Sequence, residues 1–528
     1  MPSSADTLII GAAVRTLNPA RPAAAAVAVT DGVIVALDDD ATALRGRSTE
    51  VIDLAGATLT PGLVDGHTHP LLGTEQFTGL DLSGCRDVAD LRARLAAAAR
   101  QAERGGWVRG FGLDHNVFGG QPITSAAVDD ALAGVPAFLR LYDGHSALAS
   151  STALELAGIT GPRVFAQRAH IACDGGGRPT GHLIEHAAMD LIYAVLPPVP
   201  LAERRRRAAE VLSAMAATGL TGGHVMDGPP EALELLEHLE AAGDLPLRLR
   251  LAPWCMPGSD PAEYLEGQRR GGRRWQVAAV KFFIDGTVEG GTAWLEQPDC
   301  HGHSTDSFWL DPGEYLRAVR HLAAAGVQTC THAIGDAGVQ HVIDTLDGVD
   351  TRGVRHRVEH LETMPDDLVK RLAASGLVAS MQPSHTAYTK ADHSDEWSRR
   401  LGAERADRAW RCRDIRDAGV VLVLGSDWPV AHYDARLVLG YARERTLPGS
   451  RIEPVAPGQA LTGLQSLEGM TSQAALAAND EDVAGQIAPG YRADLTAFAV
   501  DPVSAPADEV VDAPIRLTMV DGTITHRG

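Results

Sequence analysis

The chain has 528 residues, of which 45% are hydrophobic and 22% are charged, a composition typical of globular proteins rather than disordered ones. Its formal net charge of −21 disfavours nucleic acid and anionic membrane as partners, because both bind basic surfaces. The length exceeds one ordinary core, so we predict a large barrel domain with a smaller companion domain.

The cysteines and the N-terminus indicate the cellular compartment. The six cysteines are scattered without paired spacing, which indicates free thiols in a reducing, cytoplasmic environment. The first residues lack the basic and apolar regions of a signal peptide, and no apolar run approaches the roughly 20 residues of a membrane span. A homodimer is the default expectation, because two-fold dimers are the commonest oligomers.

The two chain ends show the same strand pattern. Segments 7–17, 25–30 and 33–37 are rich in small and β-branched residues, and Asp31-Gly32 joins two of them, which is a strong hairpin signal. A second strand-Asp-Gly-strand pattern spans residues 516–525. We predict that residues 1–60 and 485–528 form one small β-sandwich domain; independent hairpins at the two ends are the alternative.

Between the ends, apolar runs followed by polar residues alternate with helical patterns. Eight runs are candidate strands: 62–67, 220–226, 247–254, 277–285, 327–333, 357–361, 377–382 and 420–426. Clear helix patterns lie between them at 202–218, 230–242, 314–325, 365–375 and 406–418. Eight βα units close a barrel whose chemistry belongs at the C-terminal strand ends. We therefore assign residues 61–484 to an α/β domain, a (β/α)8 TIM-like barrel.

One connection between candidate strands is much longer than the others. About 150 residues separate the first candidate strand from the second, too many for a plain loop. We predict an inserted lid subdomain at about 75–200 that covers the mouth of the barrel and shapes the choice of substrate. It contains several histidines, including His145. Each of them, taken alone, is better explained as an ordinary packed or solvated residue.

His67 and His69 end the first candidate strand. In an extended segment, side chains at i and i+2 leave the same face, so the two imidazoles can share one metal ion. The spacing alone carries a high false-positive risk, and His301 and His303 repeat it elsewhere. The context favours the first pair as a metal site, because further potential ligands lie at the ends of strands downstream.

Lys281 lies inside the apolar run of the fourth strand. A buried lysine is costly unless it is paired or chemically altered, and one with a lowered pKa can react with CO2 to form a metal-bridging carbamate. A salt bridge to Asp285 or Glu289 is the alternative. Three other strands end in potential ligands: His332, His360 and Asp427. Ligands at the ends of five strands indicate a metal site rather than packing.

These motifs together resemble a known family. The segments PGLVDGHTH (61–69), KFFIDGT (281–287), HAIGD (332–336), RVEH (357–360), MQPSH (381–385) and GSDWPV (425–430) look like the amidohydrolase superfamily, specifically its YtcJ-like branch, which includes N-substituted formamide deformylases. The resemblance implies two metal ions, usually zinc, with other divalent metals as alternatives. It implies these roles: His67, His69, His332 and His360 as ligands, carboxylated Lys281 as bridge, and Asp427 as ligand and general base.

The implied reaction is cleavage of a C–N bond in a small molecule, such as an amide, formamide, carbamate or cyclic amide, by a metal-bound hydroxide. Candidates to hold the substrate or the oxyanion are His145, His224, Trp294, Gln382 and His385; satisfied histidines and a core tryptophan would give the same pattern. The segment 70–75 departs from the family pattern and segment 289–291 lies where relatives vary, and both are expected to face substrate. A metal-dependent lyase or decarboxylase on the same barrel is the alternative function, and a non-catalytic binding protein is a third.

Overall fold

The computed structural model describes residues 4–76, 78–103 and 105–528. Its strands form two sheets near the chain ends, one sheet in the insertion, and two parallel sheets around the candidate site. Within these ranges, no helix has both the length and the apolar character needed to cross a membrane.

Both chain ends contribute to one six-stranded sheet. Its order is Thr523–Arg527, Ile515–Val520, Leu495–Phe498, Thr58–Pro61, Ala13–Arg15 and Ala23–Ala24. A four-stranded sheet lies beside it, in the order Val33–Leu37, Val27–Thr30, Thr7–Ile10 and Glu50–Asp53. The two sheets share a hydrophobic core that includes Ile9, Ile34, Leu59, Leu495 and Leu517. The ends therefore pair with each other, while the domain bounds 1–60 and 485–528 stay predictions.

Both Asp-Gly pairs form hairpin turns. Asp31 and Gly32 have φ of 50° and 76°, and the flanking strands pair directly at Thr30 and Val33. Asp521 and Gly522 have φ of 57° and 73° and join two antiparallel strands in the same way. Positive φ at both central positions is the type I′ geometry, which matches the twist of the strands and which Gly adopts without steric cost.

Eight parallel strands surround the candidate site, and we number them β1 to β8. In order they are Leu63–Thr68, Leu220–Val225, Arg248–Leu251, Ala279–Phe283, Gln328–Ala333, Arg357–His360, Val378–Met381 and Leu422–Leu424. β1, β2, β3 and the short strand Trp275–Val277 form one parallel sheet, and β4 to β8 form another. Each of the eight predicted apolar runs overlaps one of these strands, since a strand covered on both faces needs a continuous apolar run.

Backbone hydrogen bonds join the two parallel sheets at both seams. At one seam, the Lys281 N–H donates to the Pro253 carbonyl at 2.9 Å. At the other, the Asp427 N–H donates to the His67 carbonyl at 2.7 Å, and the His69 N–H donates to the Trp428 carbonyl at 2.8 Å. The α/β class is thus observed as two linked sheets, and the assignment of a closed (β/α)8 barrel rests on the related proteins described below.

Helices connect these strands. The main ones are Leu201–Ala217, Pro230–Ala242, Pro312–Ala324, Asp336–Leu346, Asp366–Ser375 and Ala435–Glu444. The helix predicted at 406–418 is instead two short helices, Ala403–Ala406 and Cys412–Asp417. Tertiary contacts override the helical pattern there, because Trp410 has φ of 42° and its ring stacks on Trp397 with centroids 4.9 Å apart.

The chain between β1 and β2 forms a sheet of its own, which we call the insert sheet. Its strand order is His170–Cys173, Pro179–Ile184, Ser146–Ala149, Ala137–Leu141, Val108–Leu113 and Leu80–Asp81. The helix Val88–Gln101 covers it through Leu91 and Leu95, and the helix His186–Tyr193 packs through Met189 and Ile192. The described residues between β1 and β2 therefore form a folded layer with its own apolar clusters, while the bounds of about 75–200 and the role as a lid stay predictions.

Smaller helices complete the described part of the chain. They are Asp38–Ala43, Pro70–Gln76, Asp129–Leu132, Ser151–Leu156, Glu263–Gly267, Glu396–Leu401, Gly463–Gly469, Ser472–Ala477 and Ala507–Asp512. The helix Gly463–Gly469 begins with a capping box, in which Thr462 accepts from the Gln465 N–H and the Gln465 side chain accepts from the Thr462 N–H. Such reciprocal bonds satisfy two backbone donors at a helix start.

Candidate active site

The C-terminal ends of the parallel strands converge on one cavity. All six predicted metal-site residues line it: His67, His69, Lys281, His332, His360 and Asp427. All but His69 are buried. Because these residues come from five strands or the segments just after them, the strand geometry itself brings them together, as expected for a barrel of this class.

Carboxylates orient the two histidines of β1. The Nδ1 atom of His67 lies 2.7 Å from Glu359 Oε2, and Nδ1 of His69 lies 2.8 Å from Asp227 Oδ2. A carboxylate accepts the Nδ1 proton, so the Nε2 lone pair is left free to bind a metal. Both Nε2 atoms face Asp427 Oδ1, at 3.5 Å and 3.3 Å respectively.

Arg357 holds the carboxylate of Glu359 in place. Its Nε donates to Glu359 Oε1 at 2.8 Å and its Nη2 donates to Oε2 at 3.0 Å. Burial opposes ionisation of Glu359, but the adjacent Arg357 and His67 outweigh it and hold the pKa of this carboxyl well below its usual range. Nη1 of Arg357 also donates to His224 Nδ1 at 2.6 Å. The ionised Glu359 can therefore fix the tautomer of His67.

His332 and His360 are buried neighbours with ring centroids 4.3 Å apart. The Nε2 of His332 lies 3.0 Å from the Gly286 carbonyl, which can only accept, so in the neutral ring Nδ1 is the atom free to bind a metal. The Nδ1 of His360 is buried and has no hydrogen-bond partner. Burial lowers the pKa of both rings, which favours the neutral form that metals require.

Asp427 is the point where the donor atoms meet. Its Oδ2 lies 3.9 Å from His360 Nδ1 and 3.8 Å from His385 Nε2. Asp427 belongs to two groups of residues whose donor atoms all lie within 4.8 Å of one another. One group is His67, His69 and Asp427, and the other is His360, His385 and Asp427. His332 stands outside both groups of described residues.

The residues present fit a divalent metal. The buried Nδ1 of His360 and Nε2 of His385 have no hydrogen-bond partner in the protein, and buried polar atoms of this kind are usually satisfied by a water or an ion. A mixed set of imidazoles and a carboxylate is the ligand chemistry of zinc and related divalent ions. The arrangement can therefore bind metal and present it to a molecule in the cavity.

Lys281 lies at the base of the cavity with 1% of its surface exposed. Its Nζ is 3.3 Å from His67 Nε2, and burial lowers its pKa. The alternative salt bridges are not formed among the described residues, because Asp285 accepts the backbone N–H of Trp294 and Glu289 accepts the Tyr142 hydroxyl.

The five candidate substrate contacts separate into two groups. His145 and His385 line the cavity. Within the described ranges, three others do not line it: His224, Trp294 and Gln382. His224 is bonded to Arg357, and the Trp294 ring packs 5.2 Å from His341. The Gln382 amide is buried after β7 without a hydrogen-bond partner.

Several cavity residues were not found from the sequence. They are Arg140, Tyr142, His186, Trp254 and Glu362. Tyr142 comes from the insert, and its ring stacks on Tyr388 with centroids 3.9 Å apart. No local sequence pattern predicts this contact. Asp227 was also missed, although it follows β2 as the other site residues follow their strands. Leu72 and Glu289, one from each segment expected to face substrate, lie in the cavity wall, and contact with substrate stays a prediction.

This fold and this metal-suited site are those of the amidohydrolase family, to which the chain belongs, since residues 50–526 match the family's sequence pattern. Within the family it falls in the YtcJ-like branch. It is 28% identical over 487 residues to the putative amidohydrolase YtcJ of Bacillus subtilis, covering 90% of each chain. It is 27% identical over 552 residues to an N-substituted formamide deformylase of Arthrobacter pascens, covering 99% of this chain and 98% of the relative.

A solved structure supports the fold. An uncharacterised metal-dependent hydrolase from Pyrococcus horikoshii superposes with a TM-score of 0.73 at 22% identity, covering 95% of this chain and 99% of its own. The family and this neighbour imply the α/β fold of the (β/α)8 type that the eight sequence runs predict. The family also implies a divalent metal, for which the His and Asp clusters are suited.

Proposed function

We propose that the protein is a metal-dependent hydrolase that cleaves a C–N bond of a small molecule, in the class of amides, formamides, carbamates and cyclic amides. One observation carries the proposal: the Asp427 carboxylate lies within 3.3 to 3.9 Å of the nitrogens of four histidines inside a cavity. The relative that acts on N-substituted formamides, which matches over almost the whole chain, supports the choice of bond.

We assign the metal ligands residue by residue. His67, His69, His332, His360 and Asp427 would hold up to two divalent ions, with zinc as the first candidate. Lys281, as a carbamate, would supply a further anionic ligand. Its support is the buried amine beside His67 with a lowered pKa, because only the neutral amine reacts with CO2.

When bound, the metal lowers the pKa of a coordinated water and polarises the carbonyl of the substrate. Asp427 then handles the proton. Burial opposes its ionisation, but His67 and His69 outweigh burial and hold the pKa of this carboxyl well below its usual range. The ionised carboxylate accepts the proton of the attacking water and delivers it to the leaving nitrogen, which makes Asp427 the general base and then the general acid.

The remaining cavity residues bind and enclose the substrate. We assign His145 and His385 to substrate contact, because both line the cavity next to the proposed ligands. Tyr142 and Trp254 supply aromatic surface, and apolar walls strengthen electrostatic interactions in the cavity by excluding water. A small organic amide fits such a site better than a polymer, and the net charge of −21 disfavours polyanionic substrates.

The test begins with metal content. Elemental analysis of protein purified without chelators, with bicarbonate present, is expected to give about two ions per chain if both proposed sites fill. One ion or fewer would argue against Lys281 as a bridge. The loaded protein is then incubated with a panel of amides and formamides, and the products are identified. An amine together with a carboxylate supports the proposal, whereas CO2 release without hydrolysis would indicate the alternative lyase or decarboxylase.

A further inference from the structure

His145 is presented to the cavity by a fixed turn of the insert sheet. The turn joins the strands Ala137–Leu141 and Ser146–Ala149. Asp143 Oδ1 accepts the backbone N–H of His145 at 3.0 Å and of Ser146 at 3.1 Å. Arg140 Nη2 donates to the Gly144 carbonyl at 2.8 Å. The position of the His145 ring is therefore set by its own segment before any substrate arrives.

Glu185 fixes the orientation of that ring. Its Oε2 lies 2.9 Å from His145 Nδ1, and its backbone N–H donates to the His145 carbonyl at 2.7 Å. The other oxygen, Oε1, accepts the Thr292 hydroxyl at 2.8 Å. Glu185 is fully buried with φ of 67°, a backbone conformation that side-chain-bearing residues rarely adopt and that persists only where surrounding contacts enforce it.

The space for this carboxylate is also reserved by the barrel. A Cβ atom at Gly286 would lie 2.0 Å from Glu185 Oε1 and 2.1 Å from Thr292 Oγ1. The carbonyl of the same Gly286 accepts from His332 Nε2. Gly286 therefore contacts both Glu185 and His332. The rings of His145 and His332 lie with centroids 4.9 Å apart.

The Nε2 side of His145 is the side left for a ligand. Since the carboxylate of Glu185 holds the Nδ1 proton, the other ring nitrogen is free to bond elsewhere. His145 lines the cavity, and in the described part of the chain its side chain is bonded only through Nδ1. It lies beside His332, with ring centroids 4.9 Å apart, and belongs to neither of the donor groups that include Asp427.

We propose that His145 is a catalytic residue that hydrogen-bonds the acyl group of the substrate through Nε2, and that Glu185 is its positioning residue. The inference rests on the proposed function, because it places the substrate at the Asp427 site. Asp427 serves the leaving nitrogen, and His145 serves the opposite, acyl side. The insertion would then contribute to the reaction itself, in addition to covering the cavity.

Two substitutions at one position separate this role from a structural one. In His145→Asn the amide falls near the position of Nδ1, so the bond to Glu185 is kept and the Nε2 atom is lost. In His145→Gln the amide falls near Nε2, so the substrate contact is kept and the bond to Glu185 is lost. If His145 only connects the insert to the barrel, Asn should be the tolerated residue and Gln the harmful one.

We expect the reverse order for turnover. His145→Asn should lower kcat by about 100-fold or more, with an unchanged unfolding temperature and unchanged metal content. His145→Gln should keep more activity than His145→Asn. An Asn variant as active as the wild type, or more active than the Gln variant, would overturn the proposal.

Glu185 is tested with Thr292 as its matched control. Glu185→Gln removes the charge that holds the Nδ1 proton and should lower kcat by about 10-fold or more with little change in KM. Thr292→Val removes the bond to the other carboxylate oxygen together with the acceptor of the Thr287 N–H, leaves the bond between Glu185 and His145 in place, and should have a clearly smaller effect. Equal losses in the two variants would make Glu185 a structural link between insert and barrel, contrary to the proposal.

Two measurements keep the test independent of turnover. The affinity of the metal-loaded protein for acetohydroxamate, measured by calorimetry, should fall by about 10-fold in His145→Asn, and an unchanged affinity would overturn the proposal. This result is obtained even if the wild type hydrolyses none of the amides, which would count only against the proposed function. Donor atoms of His145, Glu185 and His186 lie within 4.8 Å of one another, so loss of one metal ion in Glu185→Gln would make the cluster a cation site and would also overturn the proposal.

Discussion

At the scale of single residues, a carboxylate holds each of three histidines that face the cavity. Glu359 is bonded to His67, Asp227 to His69, and Glu185 to His145. In each case the carboxylate is bonded to Nδ1, which leaves Nε2 for the cavity. Such partners orient a ligand and raise its basicity. The site is therefore organised by its supporting carboxylates as much as by the ligands themselves.

The supporting role of Asp227 is testable through metal affinity. Asp227→Asn removes the charge beside His69 and should weaken metal binding by about 10- to 100-fold. Competition with a chromogenic chelator measures this directly. Asp40→Asn, at an exposed position that does not line the cavity, is the matched control and should bind metal as the wild type does. Equal affinities in the two variants would contradict the role of Asp227.

The role of Asp427 is testable by separating metal binding from turnover. Asp427→Asn keeps an oxygen ligand but removes the proton acceptor, so kcat should fall by about 100- to 10,000-fold. Elemental analysis should show the same metal content as in the wild type. Retained activity would rule out the general-base assignment, and loss of metal would show that the carboxylate charge is needed for binding.

Glu289 should make stability depend on pH. Burial, followed by the nearby Glu362, raises the pKa of Glu289 to about 8. The native state therefore keeps a proton that the unfolded chain releases near pH 4.3, and the free energy of unfolding falls as pH rises from about 5 to 8, by up to about 1.4 kcal/mol per unit. Denaturant unfolding at several pH values should show a flatter dependence for Glu289→Gln. Identical slopes would argue against a protonated Glu289.

At the scale of elements, the parallel strands could be predicted because each is a continuous apolar run ending in polar residues. That pattern alone predicts that His67, Lys281, His332, His360 and Asp427 lie at one edge of the strands. The order of the ligands along the chain is local information. The helix at 406–418 was predicted wrongly because packing of Trp410 on Trp397 overrides a local periodicity.

Contacts between distant segments were beyond the sequence. Glu185 reaches His145 across 40 positions, and Tyr142 reaches Glu289 across 147. Neither pair follows from periodicity, since each depends on how the insert sheet lies over the strands. For the same reason, the sequence could not show that His224 and Trp294, both predicted substrate contacts, lie outside the cavity lining. Strand-end position predicts which residues are near the site, but tertiary packing decides which way they point.

The seam between β1 and β8 gives a prediction at this scale. A Cβ at Gly66 would lie 2.1 Å from Val423 Cγ1 and 2.7 Å from the Leu424 carbonyl oxygen. Gly66→Ala should therefore separate the two strands and lower the free energy of unfolding by about 1–3 kcal/mol, measured by denaturant unfolding. Gly458→Ala, where the new methyl group meets open space, should change it by less than about 0.5 kcal/mol. Equal effects would argue against a tight seam.

At the scale of the whole molecule, the last strands complete a sheet begun by the first. Ile515, Leu517, Met519 and Val520 are almost entirely buried. Ending the chain before Ile515 would remove this burial and expose Leu495–Phe498 as an unpaired sheet edge.

Each lost side chain contributes about 1.5–3 kcal/mol, so the total is comparable to the roughly 5–15 kcal/mol that stabilises a typical protein. The truncated protein is expected to be insoluble or to unfold at a much lower temperature, as measured by calorimetry. Removal of Gly528 alone is the control and should be tolerated. A truncated protein with wild-type stability would show that the end sheets are dispensable.

The shared end sheet also sets a waiting time during synthesis. The hydroxyl of Thr60 bonds to the carbonyl of Thr496, 436 positions away. A ribosome that adds about 5–20 residues per second needs roughly 20–90 s to cover that span. Throughout this interval the strand Thr58–Pro61 has no C-terminal partner, and its apolar face is open to other nascent chains. The strand Thr58–Pro61 is thus made early but reaches its final neighbour late. We expect the nascent chain to bind chaperones that shield unpaired strands.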